Sequence, residues 1–107
     1  MNSTSKSKPK RVGLPLATDF DKTFVKDWER LTHSGRYDLQ RLKEVISLIA
    51  ADTGDLPAQY RDHELQGQWA GFRECHVGGD FLLIYRHLDK RRVAFVRAGT
   101  HSELFGR

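Results

Sequence analysis

The sequence predicts an α+β domain in which two helices precede a run of antiparallel strands, in the order β-α-α-β-β-β with a short C-terminal segment. Apolar residues recur at helical spacing twice in the first half of the chain. Three short runs rich in aliphatic, β-branched and aromatic residues stand in the second half, separated by turn residues. Helices that come before the strands, instead of alternating with them, pack together on one face of a sheet. The opposite face is then expected to be free for a site.

Residues 1–12 are rich in Ser, Lys and Pro with little to bury, so they read as a disordered basic tail ahead of a domain spanning 13–107. Residues 14–18 (Leu-Pro-Leu-Ala-Thr) suit a short edge strand, where proline is tolerated. Thr18 or Asp19 then caps a helix whose stripe is Phe20, Phe24, Trp28 and Leu31, and Ser34-Gly35 stops it. A second helix runs from about Tyr37 to Ala51 with Leu39, Leu42, Val45, Ile46 and Ile49 on its apolar face. Gly54 and Pro57 exclude further helix. Residues 56–70 form a long loop holding His63, Gly67 and Trp69, and a loop of that length in a small domain is often functional. Strands come next at about 72–77, 81–86 and 92–98, with turns at Gly78-Gly79-Asp80 and Leu88-Asp89-Lys90. His101 to Phe105 is a terminal segment of about one helical turn. Side-chain parity puts Phe72, Glu74 and His76 on one face of their strand, and Val93, Phe95 and Arg97 on one face of theirs. Parity alone does not bring His76 and Arg97 together.

The 107 residues suit one domain with a modest core, and 38% hydrophobic with 30% charged residues suits a soluble protein. No apolar run is long enough to span a bilayer, and the N-terminus lacks the apolar centre of a signal peptide, so a cytoplasmic protein with no membrane partner is expected. Cys75 is the single cysteine, which excludes an internal disulfide; within a strand it reads as a small buried hydrophobe. The formal net charge of +4 resides in the tail, where Lys6, Lys8, Lys10 and Arg11 stand without an acid, and the rest of the chain is neutral. RNA affinity in the domain must therefore come from the local placement of cations.

Four of the five histidines fall between Tyr60 and Phe105, and three of them, His63, His76 and His101, stand with Asp80, Arg73 and Arg97 as candidate site residues. Cleaving RNA without a metal needs such groups: one takes the proton of a ribose 2′-hydroxyl, one protonates the 5′-oxygen leaving group, and a cation holds the phosphorane charge. Imidazole suits either proton transfer. Each residue also has a plain alternative. Asp80 could serve its own turn, His76 could fill a half-buried strand position, and His63 could be solvated. Arg97 could be a surface cation, and Phe105 could plug the core. His33 and His87 read as solvated. The histidines with Asp80 are plausible metal ligands, but there is no HExxH pair and no cysteine cluster, so neither metal nor cofactor is expected.

Residues 60–69 (YRDHELQGQW), 73–77 (RECHV), 80–85 (DFLLIY) and 97–106 (RAGTHSELFG) stand in an order and spacing that resembles the YafQ-type toxins of the RelE superfamily, over about residues 14–106. The resemblance implies a RelE-like fold and a ribosome-dependent mRNA endoribonuclease, the toxin of a type II toxin–antitoxin pair. It implies His63, His76, Asp80, Arg97 and His101 as active-site residues, with His101 as general acid and Arg97 on the scissile phosphate. Arg73, Phe81 and Phe105 are implied to contact substrate; at Phe81 the best-known relatives carry tryptophan. The implied partners are a DinJ-like or other small antitoxin, the ribosome and mRNA. The second reading is a ParE-like toxin of the same superfold that inhibits DNA gyrase by binding alone, since fold does not fix function.

Overall fold

The computed structural model describes residues 14–106; the basic tail at 1–12 lies outside them. The elements are β1 (Ala17–Phe20), α1 (Lys22–Ser34), α2 (Leu39–Ala51), β2 (His63–Glu64), β3 (Arg73–Gly78), β4 (Phe81–Asp89), β5 (Arg92–Gly99) and α3 (His101–Phe105). They form the expected α+β architecture. The sheet order is β1-β5-β4-β3-β2. Neighbours are antiparallel except β1, which runs parallel to β5.

Several boundaries differ from the sequence expectation, each for a local reason. Thr18 and Asp19 pair with Val93 and Ala94, so the first strand sits at 17–20 rather than 14–18, and Phe20 belongs to it. The N-cap of α1 is consequently Asp21. Gly35 ends that helix at φ 68°, a left-handed conformation that glycine adopts without steric cost. Asp38 caps α2, its carboxylate accepting from the Arg41 N–H at 3.0 Å. The second hairpin turns at Lys90-Arg91, one residue later than expected, because Asp89 still pairs with Arg92 and accepts from the Arg91 N–H. The long loop contains two single turns of 3₁₀ helix, at Ala58–Tyr60 and Gly67–Trp69, and the two-residue β2, which lays His63 opposite Glu74.

Two cores flank the sheet. On one face α1 and α2 bring Phe24, Leu31, Leu42 and Val45 against Cys75, Leu83 and Phe95. On the other, Leu82, Ile84 and Val96 are covered by Leu104 of α3, with Leu65, Trp69, Phe72 and Phe105 packed around them. The face expected to be free is therefore partly roofed. The roof itself carries functional groups, because α3 and the loop bring His101 and His63 to that same side.

Candidate active site

Strand alternation puts Glu74 and His76 on the α3 side of β3. β2 adds His63 beside them and the tight turn before β4 adds Asp80. His101 opens α3. The capping box of Thr100 and Glu103 fixes the entry to that helix, with Thr100 accepting from the Glu103 N–H and the Glu103 carboxylate accepting from the Thr100 N–H.

These elements form a row of three imidazoles. The ring centroids of His63 and His76 are 6.4 Å apart, and those of His76 and His101 6.3 Å apart. In each ring Nδ1 faces an oxygen: Arg61 O at 2.8 Å for His63, Gly79 O at 3.2 Å for His76, and Asp80 Oδ1 at 2.6 Å for His101. A carbonyl or carboxylate oxygen only accepts, so Nδ1 carries the proton in all three. That leaves Nε2 as the nitrogen each ring can use for chemistry. The backbone N–H of His101 also donates to Asp80 Oδ1, at 3.3 Å. The side-chain and then the backbone hydrogen bond from His101 hold the Asp80 carboxyl below the usual carboxylate range. Asp80 is thus an ionised group that orients His101.

Glu74 was not among the residues the sequence singled out. Its side chain is only 5% exposed, with His63 Nε2 at 3.3 Å and His76 Nε2 at 4.0 Å from Oε1. A carboxylate without charge partners is costly to bury, so the imidazoles are what make this position tenable. The signal that could have found it was present, since an acid two residues before His76 shares its strand face.

Phe105 lies 5.9 Å from the His101 ring and meets Trp69 edge-on at 5.7 Å. It therefore packs the small core and borders the histidine row at once. Beside it, Trp69 and Phe72 line a shallow apolar groove.

Three other expected site residues lie elsewhere. Phe81 is 6% exposed and faces the helix-side core, its ring 4.9 Å from that of Tyr37, so it offers no surface for a base. Arg73 projects to the opposite face from His76, where it donates twice to Asp62, which also accepts from the Tyr85 hydroxyl. Burial first, and then the Asp62 hydrogen bond, push that phenol far up. Arg97 donates from Nε and Nη2 to Asp27 of α1, at 2.7 and 3.2 Å, and this hydrogen bonding raises its already high pKa. Asp27 is buried at 6% exposure and also accepts from the Ala98 N–H. Two of the three Arg97 guanidinium nitrogens are thereby engaged in holding α1 to the end of β5. Cys75 is fully buried and its thiol is pushed far up by desolvation, in keeping with a hydrophobic role. Among the described residues, no group of three or more His, Cys, Asp or Glu side chains is arranged to hold a metal ion.

Comparison with known proteins gives this arrangement a relationship. The family model described as "Bacterial toxin of type II toxin-antitoxin system, YafQ" matches residues 16–106. The mRNA interferase toxin YafQ of Escherichia coli strain K12 is 44% identical over 77 residues, covering 72% of this chain and 83% of the relative. The crystal structure of the E. coli DinJ–YafQ toxin–antitoxin complex contains a chain that matches with TM-score 0.76 and 38% identity, over 87% of this chain and all of that one. A metal-bound toxin from Helicobacter pylori matches with TM-score 0.75 and 38% identity, over 84% of this chain and 99% of that one. These relationships run to YafQ toxins and not to gyrase inhibitors. With two main helices, a five-stranded sheet, a histidine row on the α3 side of that sheet and a family match from 16 to 106, the chain belongs to the YafQ family of bacterial toxins of type II toxin–antitoxin systems.

Proposed function

We propose that this chain is a ribosome-dependent mRNA endoribonuclease, held in check by a small cognate antitoxin and acting in the cytoplasm. The observation that carries the reading is the row of three imidazoles, each anchored through Nδ1 and each left with Nε2 for proton transfer. The naming of the E. coli relative as an mRNA interferase, and the pairing of another YafQ chain with DinJ, support the activity and the kind of partner. No helix among the described residues is long and apolar enough to cross a membrane.

In the proposed reaction, His76 Nε2 accepts the proton of a ribose 2′-hydroxyl. The 2′-oxygen forms a bond to the adjacent phosphorus, and the bond from phosphorus to the 5′-oxygen breaks. His101, protonated at Nε2, gives that proton to the departing oxygen. The products are a 2′,3′-cyclic phosphate and a 5′-hydroxyl. Asp80 fixes the His101 ring and stabilises its cationic form, as the carboxylate does in serine protease triads. His63, anchored through Nδ1 on Arg61 O and with Nε2 3.3 Å from Glu74 Oε1, assists by positioning the substrate beside His76. Phe105 borders the row and is positioned to stack on a base. Arg97 enters as the cation that ties α1 to the strand leading into His101, and Arg73 and Phe81 as structural residues. Imidazole can perform both proton transfers unaided, so the reaction needs no metal; unchanged cleavage by toxin stripped of zinc and copper tests that point.

The deciding experiment maps new 5′ ends on translated mRNA, comparing wild type with His101→Ala. Codon-phased cleavage by wild type, reduced by about 10²–10⁴ in the variant, supports the assignment. Growth arrest with no new 5′ ends would refute the nuclease reading.

A further inference from the structure

Two half-buried aromatic rings near the histidine row, Trp69 and Phe72, take no part in the proposed proton transfers. With Gln68, Leu104 and Phe105 they line a groove of about 540 Å³, a size that holds small organic groups. Two polar side chains stand with it. The Gln68 amide makes no hydrogen bond to another described residue. Arg86, exposed on β4, lays its guanidinium over the Phe72 ring, 5.0 Å from the centroid, and among the described residues no carboxylate pairs with it.

A continuous line of contacts leads from the histidine row to that cation. The His101 ring lies 5.9 Å from Phe105, Phe105 lies 5.7 Å from Trp69, and Trp69 lies 5.2 Å from Phe72. Strand alternation puts Arg86 on the same face of β4 as Leu82 and Ile84, the face that α3 covers. Leu82 pairs with His76, so at ~3.3 Å per residue Arg86 sits roughly 13 Å along β4 from the row. It is too far away for the scissile phosphate and suits another phosphate of the same strand. The order of the rings supplies a direction. His63 comes first, then His76, His101 and the groove. His101 is the proposed donor to the 5′-oxygen, so the groove lies on the leaving-group side.

We propose that this groove is the subsite for the nucleotide that departs with the 5′-hydroxyl. Its base stacks against Trp69 with the Gln68 amide at its edge, and Arg86 holds a phosphate downstream of the cut. Every base has a face that can stack, so the ring supplies affinity, while the amide's donor and acceptor discriminate between base edges. The assignment rests on the nuclease reading.

The test crosses Trp69→Leu, which keeps an apolar filler in the small core, with an mRNA that lacks the base of the first nucleotide 3′ of the cut. Single-turnover cleavage is followed on programmed ribosomes. Wild type should cut the abasic mRNA with kcat/KM lower by about 10–10². Trp69→Leu should lose a similar factor on the complete mRNA and little more on the abasic one, because both changes remove the same contact. Arg86→Gln, at an exposed position, should melt like wild type and lose on the order of 10-fold, with Arg86→Lys recovering part. Losses that simply multiply for Trp69→Leu and abasic mRNA would overturn the stacking, and wild-type cleavage by Arg86→Gln would overturn the phosphate contact. If Trp69→Leu does not fold, the abasic comparison on wild type decides the first point, and equal cleavage of the two mRNAs overturns it. In parallel, ¹⁵N NMR of the free toxin follows the Trp69 indole N–H during titration with a 2′-O-methyl trinucleotide, which has no free 2′-hydroxyl at the linkage and stays intact. The Trp69 signal should move while that of Trp28 stays, and Arg86→Gln should weaken the effect. A Trp69 signal that does not move would overturn the subsite. If the signal moves but wild type cuts no mRNA, the nuclease reading fails and the groove stands as an RNA-binding site.

Discussion

Removing the Asp27 carboxylate should unseat the corner from which α3 departs. Asp27→Ala deletes the acceptor for Arg97 Nε and Nη2, at 2.7 and 3.2 Å, and for the Ala98 N–H at 3.0 Å; it also removes a 3.4 Å ion pair with Arg30. An orphaned buried N–H costs about 1–3 kcal/mol. Breaking a fully buried ion pair costs about 3–5 kcal/mol, but the Arg97 side chain is 26% exposed and can regain water, which reduces that share to ~1–2 kcal/mol. The expected loss is then about 2–5 kcal/mol, a large part of a small domain's stability, and roughly 8–40 °C in melting temperature. Arg97→Ala should also destabilise. The double variant should cost less than the two single losses together, by about 0.5–2 kcal/mol, because it leaves no unpaired guanidinium. Urea unfolding of the four proteins, monitored by circular dichroism, measures each loss, with cleavage assayed in parallel. An Arg97→Ala protein that melts like wild type yet fails to cleave would overturn the structural role of Arg97 and return it to the scissile phosphate.

The same geometry carries three further expectations. Phe81→Ala should lower stability by about 3–5 kcal/mol and leave KM for ribosome-bound mRNA unchanged, since Phe81 lies in the helix-side core; a raised KM with normal melting would restore its stacking role. Gly99→Ala should impair both folding and cleavage, because Gly99 has φ 158° and an added Cβ would lie 2.6 Å from Glu103 Oε1, within the capping box that sets His101; normal melting and cleavage would contradict this. The folded-state pKa of Asp80 is depressed, so its stabilising contribution is present above the unfolded value of about 3.9 and is lost as pH falls through the folded value. The melting-temperature difference between wild type and Asp80→Asn should therefore shrink below about pH 4, and a difference that grows there would contradict the ion pair.

Helix periodicity and turn residues made the architecture legible. Leu42, Val45 and Ile49 are the buried stripe of α2, and Gly35 stops α1 where the sequence indicated. What periodicity could not supply was the parallel pairing of β1 with β5, which depends on contacts between residues more than seventy positions apart. The residues of the histidine row were singled out through motif order, and strand parity left open where Arg97 would lie. A register shift in the β4–β5 pairing separates Phe95, which lies opposite Tyr85, from Arg97, which lies opposite Ile84, so simple alternation could not place Arg97. Asp27 escaped notice because an acid within an amphipathic helix ordinarily reads as solvated. Only the tertiary contact with Arg97 and Ala98 makes it a buried anchor.

If the histidine row cuts mRNA, it does so by using the substrate's own 2′-hydroxyl. Two ribosome-bound mRNAs, identical except for a single 2′-deoxy sugar at the scissile position, isolate that step when end groups are analysed after one turnover. The all-ribose mRNA should be cleaved to a 2′,3′-cyclic phosphate and a 5′-hydroxyl, and the deoxy-substituted mRNA should stay intact. Cleavage of the deoxy substrate at that position, or a 5′-phosphate product, would contradict the 2′-hydroxyl mechanism.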